Sequence, residues 1–231
     1  MATTKLALHA SGTPVVSPAF QSYGHAMATR HPMALPGRYT STLANIAVAP
    51  DVADHLVSTD VGVRQFVSPP MIGGITFSNG GAFKYAVQAF EDHANNNLQV
   101  QFWAGIVSYD GTSAIATLRS KQAEGNEINT ALRNVAQSST MSAGHTSVQG
   151  QRLVVEFSLV GLPTATGGVQ GHNGSIRFGS SGGSGDLPEN DTETGTGFNP
   201  WVEFTTDIAI AFISEAKYRT ITQAIRRSYF Y

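Results

Sequence analysis

Two glutamates on predicted strands, Glu156 and Glu203, are the carboxylates best placed for acid–base chemistry. Hydrolysis of a glycoside needs two carboxyl groups about 5 to 9.5 Å apart across the sugar, one as acid and the other as base or nucleophile. Each of these glutamates lies on a strand face whose other residues are polar. We therefore expect both side chains to be exposed, and we assign neither a catalytic role.

A second group of carboxylates, Asp186, Glu189, Asp191 and Glu193, lies in a loop rich in Gly, Ser and Thr. Carboxylate oxygens crowded into one loop are typical calcium ligands, but these do not follow the EF-hand order. Two interpretations stay open, a calcium site and an acidic loop in contact with solvent, and the solvated loop is the ordinary one.

No other spacing of reactive residues indicates a catalytic or metal centre. The seven histidines are dispersed, and no two have the spacing of a zinc site. The chain has no cysteine, which excludes a thiolate site, a cysteine nucleophile and disulfides. No nucleophile-elbow, phosphate-loop or dinucleotide-binding motif occurs between a predicted strand and a predicted helix, where these motifs function. The sequence thus predicts no catalytic residue, no cofactor and no metal, and a protein that is not an enzyme.

The amino-acid composition limits the classes of partner that the protein is expected to bind. The 231 residues carry a formal net charge of −2, and charged residues make up 13% of the chain, which predicts a neutral, polar surface. Direct binding to nucleic acid is not expected, because it needs a basic field. No run approaches the roughly 20 apolar residues of a membrane-spanning helix. The first residues lack the apolar core of a signal peptide, so we expect no export by that route.

Alternating apolar and polar residues predict an all-β protein. The clearest strand contains Leu153, Val155, Phe157 and Leu159 on one face. Turn signals separate this strand from others, which are predicted at residues 46–48, 65–67, 75–77, 83–90, 98–109, 114–118, 176–178 and 201–204. Such a run of strands indicates a β-sandwich of jelly-roll or immunoglobulin-like topology.

One segment, residues 121–138, is the best candidate for a helix. Ile128, Leu132 and Val135 fall there at helical spacing. A short loop or a strand is the alternative for this segment.

The two ends of the chain have a different character from the middle. Residues 1–40 contain four prolines and no regular period, which predicts an extended arm rather than part of a sheet. Residues 41–207 are assigned to the sandwich, and residues 208–231 to a C-terminal tail in which cationic and aromatic residues alternate. We expect both ends to contact neighbouring subunits, through Pro14, Pro18, Phe20, Arg30, Tyr218, Arg219, Arg226, Arg227, Tyr229, Phe230 and Tyr231.

The order of several short motifs over residues 13–207 resembles the jelly-roll structural proteins found in virions of tailed double-stranded DNA bacteriophages. Gln151 differs from that pattern, in which Asp is more frequent, and residues 208–231 extend beyond its closing strand. The motifs that carry the resemblance are Thr13-Pro14, Ser17-Pro18-Ala19-Phe20, Ala28-Thr29-Arg30, the stretch 65–70, the strand ending at 106–111, the stretch 150–156, the stretch 176–179, the loop Asp186-Leu187-Pro188-Glu189 and the closing stretch 199–204.

The resemblance implies a non-enzymatic virion component, assembled in the bacterial cytoplasm, that binds other virion proteins such as the major capsid protein or tail components. It also implies a homo-oligomer, with a trimer as one candidate. A capsid cement or decoration protein is the first interpretation. The alternative is a receptor- or glycan-binding module on the tail or a fibre, with Trp103, Tyr109 or Trp201 as stacking platforms, although burial of both tryptophans in the core is the more ordinary expectation.

Overall fold

The structure is a computed structural model, and it describes residues 3–9, 12–14, 16, 30–34, 44–48, 59–94, 97–123, 127–161, 173–180, 185–190, 192–208 and 215–228. In these residues the chain forms β-strands and one α-helix, in the order β1 Thr4–Leu8, β2 Arg30–Ala34, β3 Ala44–Val48, β4 Thr59–Val67, β5 Thr76–Phe77, β6 Ala82–Glu91, β7 Leu98–Val107, β8 Ala114–Ala123, β9 Arg133–Thr140, β10 His145–Thr146, β11 Arg152–Gly161, β12 Gly174–Phe178, β13 Trp201–Phe204 and α1 Glu215–Ser228.

The strands form two halves of one continuous hydrogen-bonded system. The first half runs β3-β12-β6-β13-β1, with β9 paired to β6, and the second runs β2-β4-β11-β7-β8. Strands β5 and β10 form a separate two-stranded sheet. Apart from the parallel pair β2 and β4, the neighbours are antiparallel. The predicted fold class, an all-β sandwich, is confirmed by this arrangement of a large sheet and a small second sheet.

Aromatic side chains from the two halves meet in the core. The Phe102 ring of β7 stacks on Phe83 and Tyr85 of β6, with centroids 4.8 and 5.3 Å away. Phe157 of β11 meets Tyr85 edge-on at 5.3 Å, and Phe66 of β4 lies 4.8 Å from Phe178 of β12. Offset stacking and edge-to-face contacts are the preferred arrangements of aromatic rings. This layer joins the two halves face to face.

Strand β11 matches its prediction. All ten of its residues are buried, and it pairs with β4 on one side and β7 on the other. Leu153, Val155, Phe157 and Leu159 belong to the main core, as the alternation indicated. The opposite face of β11 is also buried, which the alternation did not predict.

Two segments of the predicted arm lie within the sheet. Strand β1 pairs with β13 and β2, and β2 also pairs with β4. Both segments are extended, but the expectation that they lie outside the sheet is wrong. Pro32 is compatible with β2, which pairs over only a few residues on each side. The division of the chain at residues 40 and 207 stays a prediction.

The predicted helix over residues 121–138 is also corrected. Residues up to Ala123 continue β8, and Arg133–Thr140 form β9, which pairs with β6 over eight positions. Ile128 and Val135 do pack on the core, but from a strand and its approach rather than from a helix. Pairing with β6 overrides the weak helical period.

Replacing Phe157 by alanine tests the aromatic layer. Its fully buried ring contacts Phe66, Tyr85, Phe102 and Phe178. We expect Phe157→Ala to lower the free energy of unfolding by about 3 to 5 kcal/mol, because the ring leaves a cavity. Urea denaturation followed by tryptophan fluorescence measures this change.

The matched control is Ile115→Ala, on a side chain that is 45% exposed. Its cost should stay below about 1 kcal/mol. Equal costs for the two variants would contradict the assignment of Phe157 to the layer that joins the halves.

Candidate functional site

The N-terminal strands are held by a chain of buried polar contacts. Arg30 Nε donates to Gln65 Oε1 at 3.0 Å, and Gln65 Nε2 donates to Glu156 Oε1 at 2.7 Å. Gln65 and Glu156 are both fully buried. These three residues bring β2, β4 and β11 together, because a buried carboxylate needs hydrogen-bond donors to offset its lost hydration. We call Arg30, Gln65 and Glu156 the anchor chain.

This geometry corrects the expectation that Glu156 is exposed. Its strand face is polar in sequence, yet Glu156 is fully buried and accepts a hydrogen bond from Gln65 Nε2 of β4. Glu203 is partly exposed and lies 4.0 Å from Lys5 Nζ. The two glutamates therefore have separate structural partners.

A second set of polar contacts holds the start of the chain. His31 Nδ1 lies 2.9 Å from Gly12 O, and Arg64 Nη1 contacts His31 Nε2. The carbonyl can only accept, so Nδ1 carries the proton and Nε2 accepts from the guanidinium. Burial lowers the pKa of His31, and Arg64 adds to this, while the bond to Gly12 acts in the opposite direction. The neutral imidazole fits both partners.

Burial also lowers the pKa values of His9 and Arg64 in this region. Burial, with a smaller effect from His31, lowers the pKa of His9 to about 4. Burial lowers the pKa of Arg64 to about 10, which leaves it charged at neutral pH. The sequence alone assigned no role to these residues, because no local spacing links the residue that follows β1 with positions in β2 and β4.

The acidic loop packs against the sandwich. Asp186 pairs with Lys5 at 3.1 Å, and Glu189 pairs with Lys84 at 3.0 Å. Glu193 Oε1 accepts from Gly195 N at 2.5 Å. Asp191 lies outside the described residues. In the described ranges no group of three or more histidines or carboxylates could hold a metal ion.

The same segment covers one tryptophan. Trp201 is 1% exposed, and its Nε1 donates to Leu187 O at 2.8 Å. Trp103 is 3% exposed, in a cluster with Val67, Val107 and Val154. Both side chains are core residues and offer no stacking platform to a sugar. Tyr109 is half-buried, with the Arg152 guanidinium 5.0 Å from its ring centroid.

Two cavities lie beside the start of β9 and share residues 127–129 as lining. Their volumes are about 410 and 250 Å³, and Glu91 lines the smaller one. Leu98 N donates to Glu91 Oε2 at 3.3 Å. Burial raises the pKa of Glu91 to about 7, with smaller contributions from Glu127 and Asp92.

The C-terminal tail contains the helix α1. Lys217, Arg219, Thr220 and Gln223 are exposed on it, and Ile221 is half-buried. This helix is neither long nor apolar enough to cross a membrane, and it is the one helix in the described residues.

The residues predicted to contact other subunits have different outcomes. Pro14 is buried, and Arg30 belongs to the anchor chain. Arg219 is exposed on α1, and the backbone positions of Tyr218, Arg226 and Arg227 also lie on α1. The remaining predicted residues lie outside the described part of the chain: Pro18, Phe20, Tyr229, Phe230 and Tyr231.

Comparisons with known proteins assign no family. No family model matches the sequence, and no curated protein matches it. Two solved structures of a CocE/NonD family hydrolase from Staphylococcus aureus each align with 89% of this chain, at 10% and 12% identity and TM-scores of 0.41 and 0.40. This chain spans 36% of those chains. The infectious bursal disease virus Gx strain structure aligns with 71% of this chain and 33% of its own, at 6% identity and a TM-score of 0.27.

The prediction that the chain is not an enzyme is contradicted by the first two matches, because both structures are of a protein named as a member of a hydrolase family. We therefore do not retain that prediction. At these identities and TM-scores the matches also carry no activity, active-site residue or substrate over to this chain.

The pH dependence of the free energy of unfolding tests the raised pKa of Glu91. The pKa of Glu91 is about 7 in the folded protein against an ordinary 4.5, so between these values the folded state binds more protons than the unfolded state. Its contribution to stability is therefore lost as pH rises from 4.5 to 7. We expect Glu91→Gln to gain stability relative to wild type over this interval, as measured by urea denaturation at pH 5 and pH 7.5.

The control is Glu189→Gln, which removes an exposed carboxyl group that does not line the cavity beside Glu91. His9 has the opposite sign, because its lowered pKa makes stability rise with pH from 4 to 6.5. Comparing each variant with wild type at the same pH cancels the histidine contribution. A stability difference for Glu91→Gln that stays constant between the two pH values would show that Glu91 does not titrate in this interval.

Proposed function

We propose that this chain is a structural component of a bacteriophage virion, which attaches to neighbouring subunits as a capsid cement or decoration protein does. The observation that carries the proposal is the cationic helix α1 in the C-terminal tail, on which Lys217 and Arg219 are exposed. The resemblance of residues 13–207 to jelly-roll virion proteins supports the same assignment.

The helix has the composition of a docking element. Tyr218, Ile221 and Ile225 recur at the spacing of one helix face, and Lys217 and Arg219 lie beside them, exposed. A helix of 14 residues is marginal in water unless its apolar face is covered. Tyrosine and arginine are also enriched at the centres of protein interfaces. These properties support docking of α1 on another protein.

The rest of the sandwich supports assembly in many copies. Charged residues make up 13% of the chain and the net charge is −2, so repulsion between closely packed copies is small. The anchor chain keeps β2 inside the sheet. The N-terminal strands therefore stabilise the subunit itself, and α1 is the better candidate for contact with other subunits.

Immunogold labelling of intact particles from the source tests the proposal. An antibody to this chain should label virions, and label spread over the head would support a cement or decoration role. Label confined to the tail would favour the tail or fibre alternative. Particles without label would overturn the virion assignment.

Truncation tests the role of α1. Removing residues 215–231 should leave the sandwich folded, because the described side chains at 216, 217, 219, 220, 223 and 224 are exposed. We expect the truncated protein to lose most of its incorporation into particles. Circular dichroism measures the fold, and quantitative immunoblotting of purified particles measures incorporation.

The variant Arg219→Gln, with Gln122→Glu on β8 as a control, separates a direct contact from a general effect of charge, because each variant lowers the net charge by one. Arg219→Gln should reduce incorporation and the control should not. Full occupancy of the truncated protein would exclude docking through α1. Deletion of residues 1–40 is not a comparable test, because it removes β1 and β2 from the sheet.

A further inference from the structure

Strand β9 has an open edge in the described part of the chain. Positions 83–86 of β6 pair with both β9 and β13, and positions 88–89 pair with both β9 and β12. A strand has two edges, so β12 and β13 lie end to end on one side of β6, and β9 lies on the other. No described strand pairs with the far side of β9.

The main-chain groups on this open edge follow from the alternation of an antiparallel ladder. Met141 N donates to Gly81 O, and Thr205 N donates to Ala82 O on the opposite side of β6. Neighbouring positions alternate in direction, so the amide and carbonyl groups of Asn134, Ala136 and Ser138 point away from β6. Among the described residues, no strand pairs with these groups.

A groove with an unsatisfied polar atom follows this edge. The cavity of about 410 Å³ is lined by residues 133–137 of β9 and by residues 127–129. Asn134 is 4% exposed, and its Nδ2 donates to Pro188 O at 2.7 Å. Its Oδ1 is buried and has no hydrogen-bond partner among the described residues. Such an acceptor is costly unless a donor reaches it.

The edge of β9 also lacks the features that discourage pairing. Strand β8, at the edge of the other half, carries Arg119 and Lys121 and has several register irregularities with β7. Strand β9 has no proline, no glycine and no irregularity, and its single charge is at its first residue, Arg133. Charges and bulges protect edge strands from pairing, and β9 has almost none.

We propose that β9 pairs antiparallel with β9 of a second copy of this chain, about a two-fold axis at Ala136. In this register Ala136 lies opposite Ala136, and Asn134 lies opposite the partner's Ser138. The outward main-chain groups of each copy then face those of the other. The exposed hydroxyl of the partner's Ser138 supplies the donor that Asn134 Oδ1 lacks.

The charge pattern favours a second copy as the occupant. The two-fold register places Arg133 opposite the partner's Ser139, so no like charges meet directly across the pair. An isologous contact of this kind is self-complementary and closes at two subunits. The proposal does not depend on the virion assignment, because the contact is tested with purified protein in solution.

A single introduced thiol tests the pairing. The chain has no cysteine, so Ala136→Cys provides the only thiol. Hydrogen-bonded pairs in an antiparallel ladder have Cα atoms about 5.5 Å apart, within the range that a disulfide spans. We expect mild oxidation of the full chain to give a disulfide-linked dimer of Ala136→Cys. The control Ala114→Cys, exposed on β8, should stay monomeric.

Removing one amide tests whether the same edge forms the dimer of the unmodified chain. Light scattering over a concentration series should show wild type approaching twice its monomer mass of 24.4 kDa. Ala136→Pro removes an outward N–H without removing a bond to β6, so it should stay monomeric with a native circular dichroism spectrum. Ala136→Ser keeps the N–H and should dimerise like wild type.

Three results would overturn the proposal. The first is no more cross-linking for Ala136→Cys than for Ala114→Cys. The second is unchanged dimerisation of folded Ala136→Pro, and the third is a monomeric wild type at every concentration. If Ala136→Pro does not fold, the comparison of cross-linking between Ala136→Cys and Ala114→Cys tests the proposal alone.

Discussion

The structure depends on one strand that belongs to both halves of the sandwich. Strand β2 pairs antiparallel with β1 at Met33 and Ala34 and parallel with β4 at positions 30–32. Five residues therefore connect a half that ends in β1 to a half that begins with β4. The Phe102 ring stacks on Phe83 and Tyr85 with centroids 4.8 and 5.3 Å away, and this stacking requires the two halves to lie face to face.

The anchor chain explains why so short a strand is sufficient. Arg30, Gln65 and Glu156 come from three neighbouring strands, and each contact is within hydrogen-bond distance. Removing one partner would cost the buried polar groups a hydrogen bond, and such a loss costs more than the contact itself contributes. Gln65 of β4 thus links Arg30 of β2 to the polar face of β11.

Local pattern predicted the elements whose partners are apolar. The alternation around Phe157 predicted β11, and the run at positions 201–204 predicted β13 with the bounds that the structure has. Where pairing between distant segments determines the secondary structure or the burial of a residue, the local sequence pattern did not predict it. The spacing of Ile128 and Val135 fits a helix, but pairing with β6 makes Val135 part of a strand. Glu156 is buried against Gln65, which lies 91 positions away in sequence, and no local signal carries that information.

The two candidate sites also differ in whether the local sequence predicts them. The cationic residues of the tail were visible in sequence, and Arg219 is exposed on α1 as a docking residue must be. Asn134 gave no signal, because the cost of its unpartnered oxygen appears only once β9 is known to be an edge. The helix and the open edge also differ in chemistry, since one offers side chains and the other offers main-chain groups and a buried acceptor. A subunit with both can form a two-fold contact through β9 and still use α1 for a different partner, so neither surface must serve both purposes.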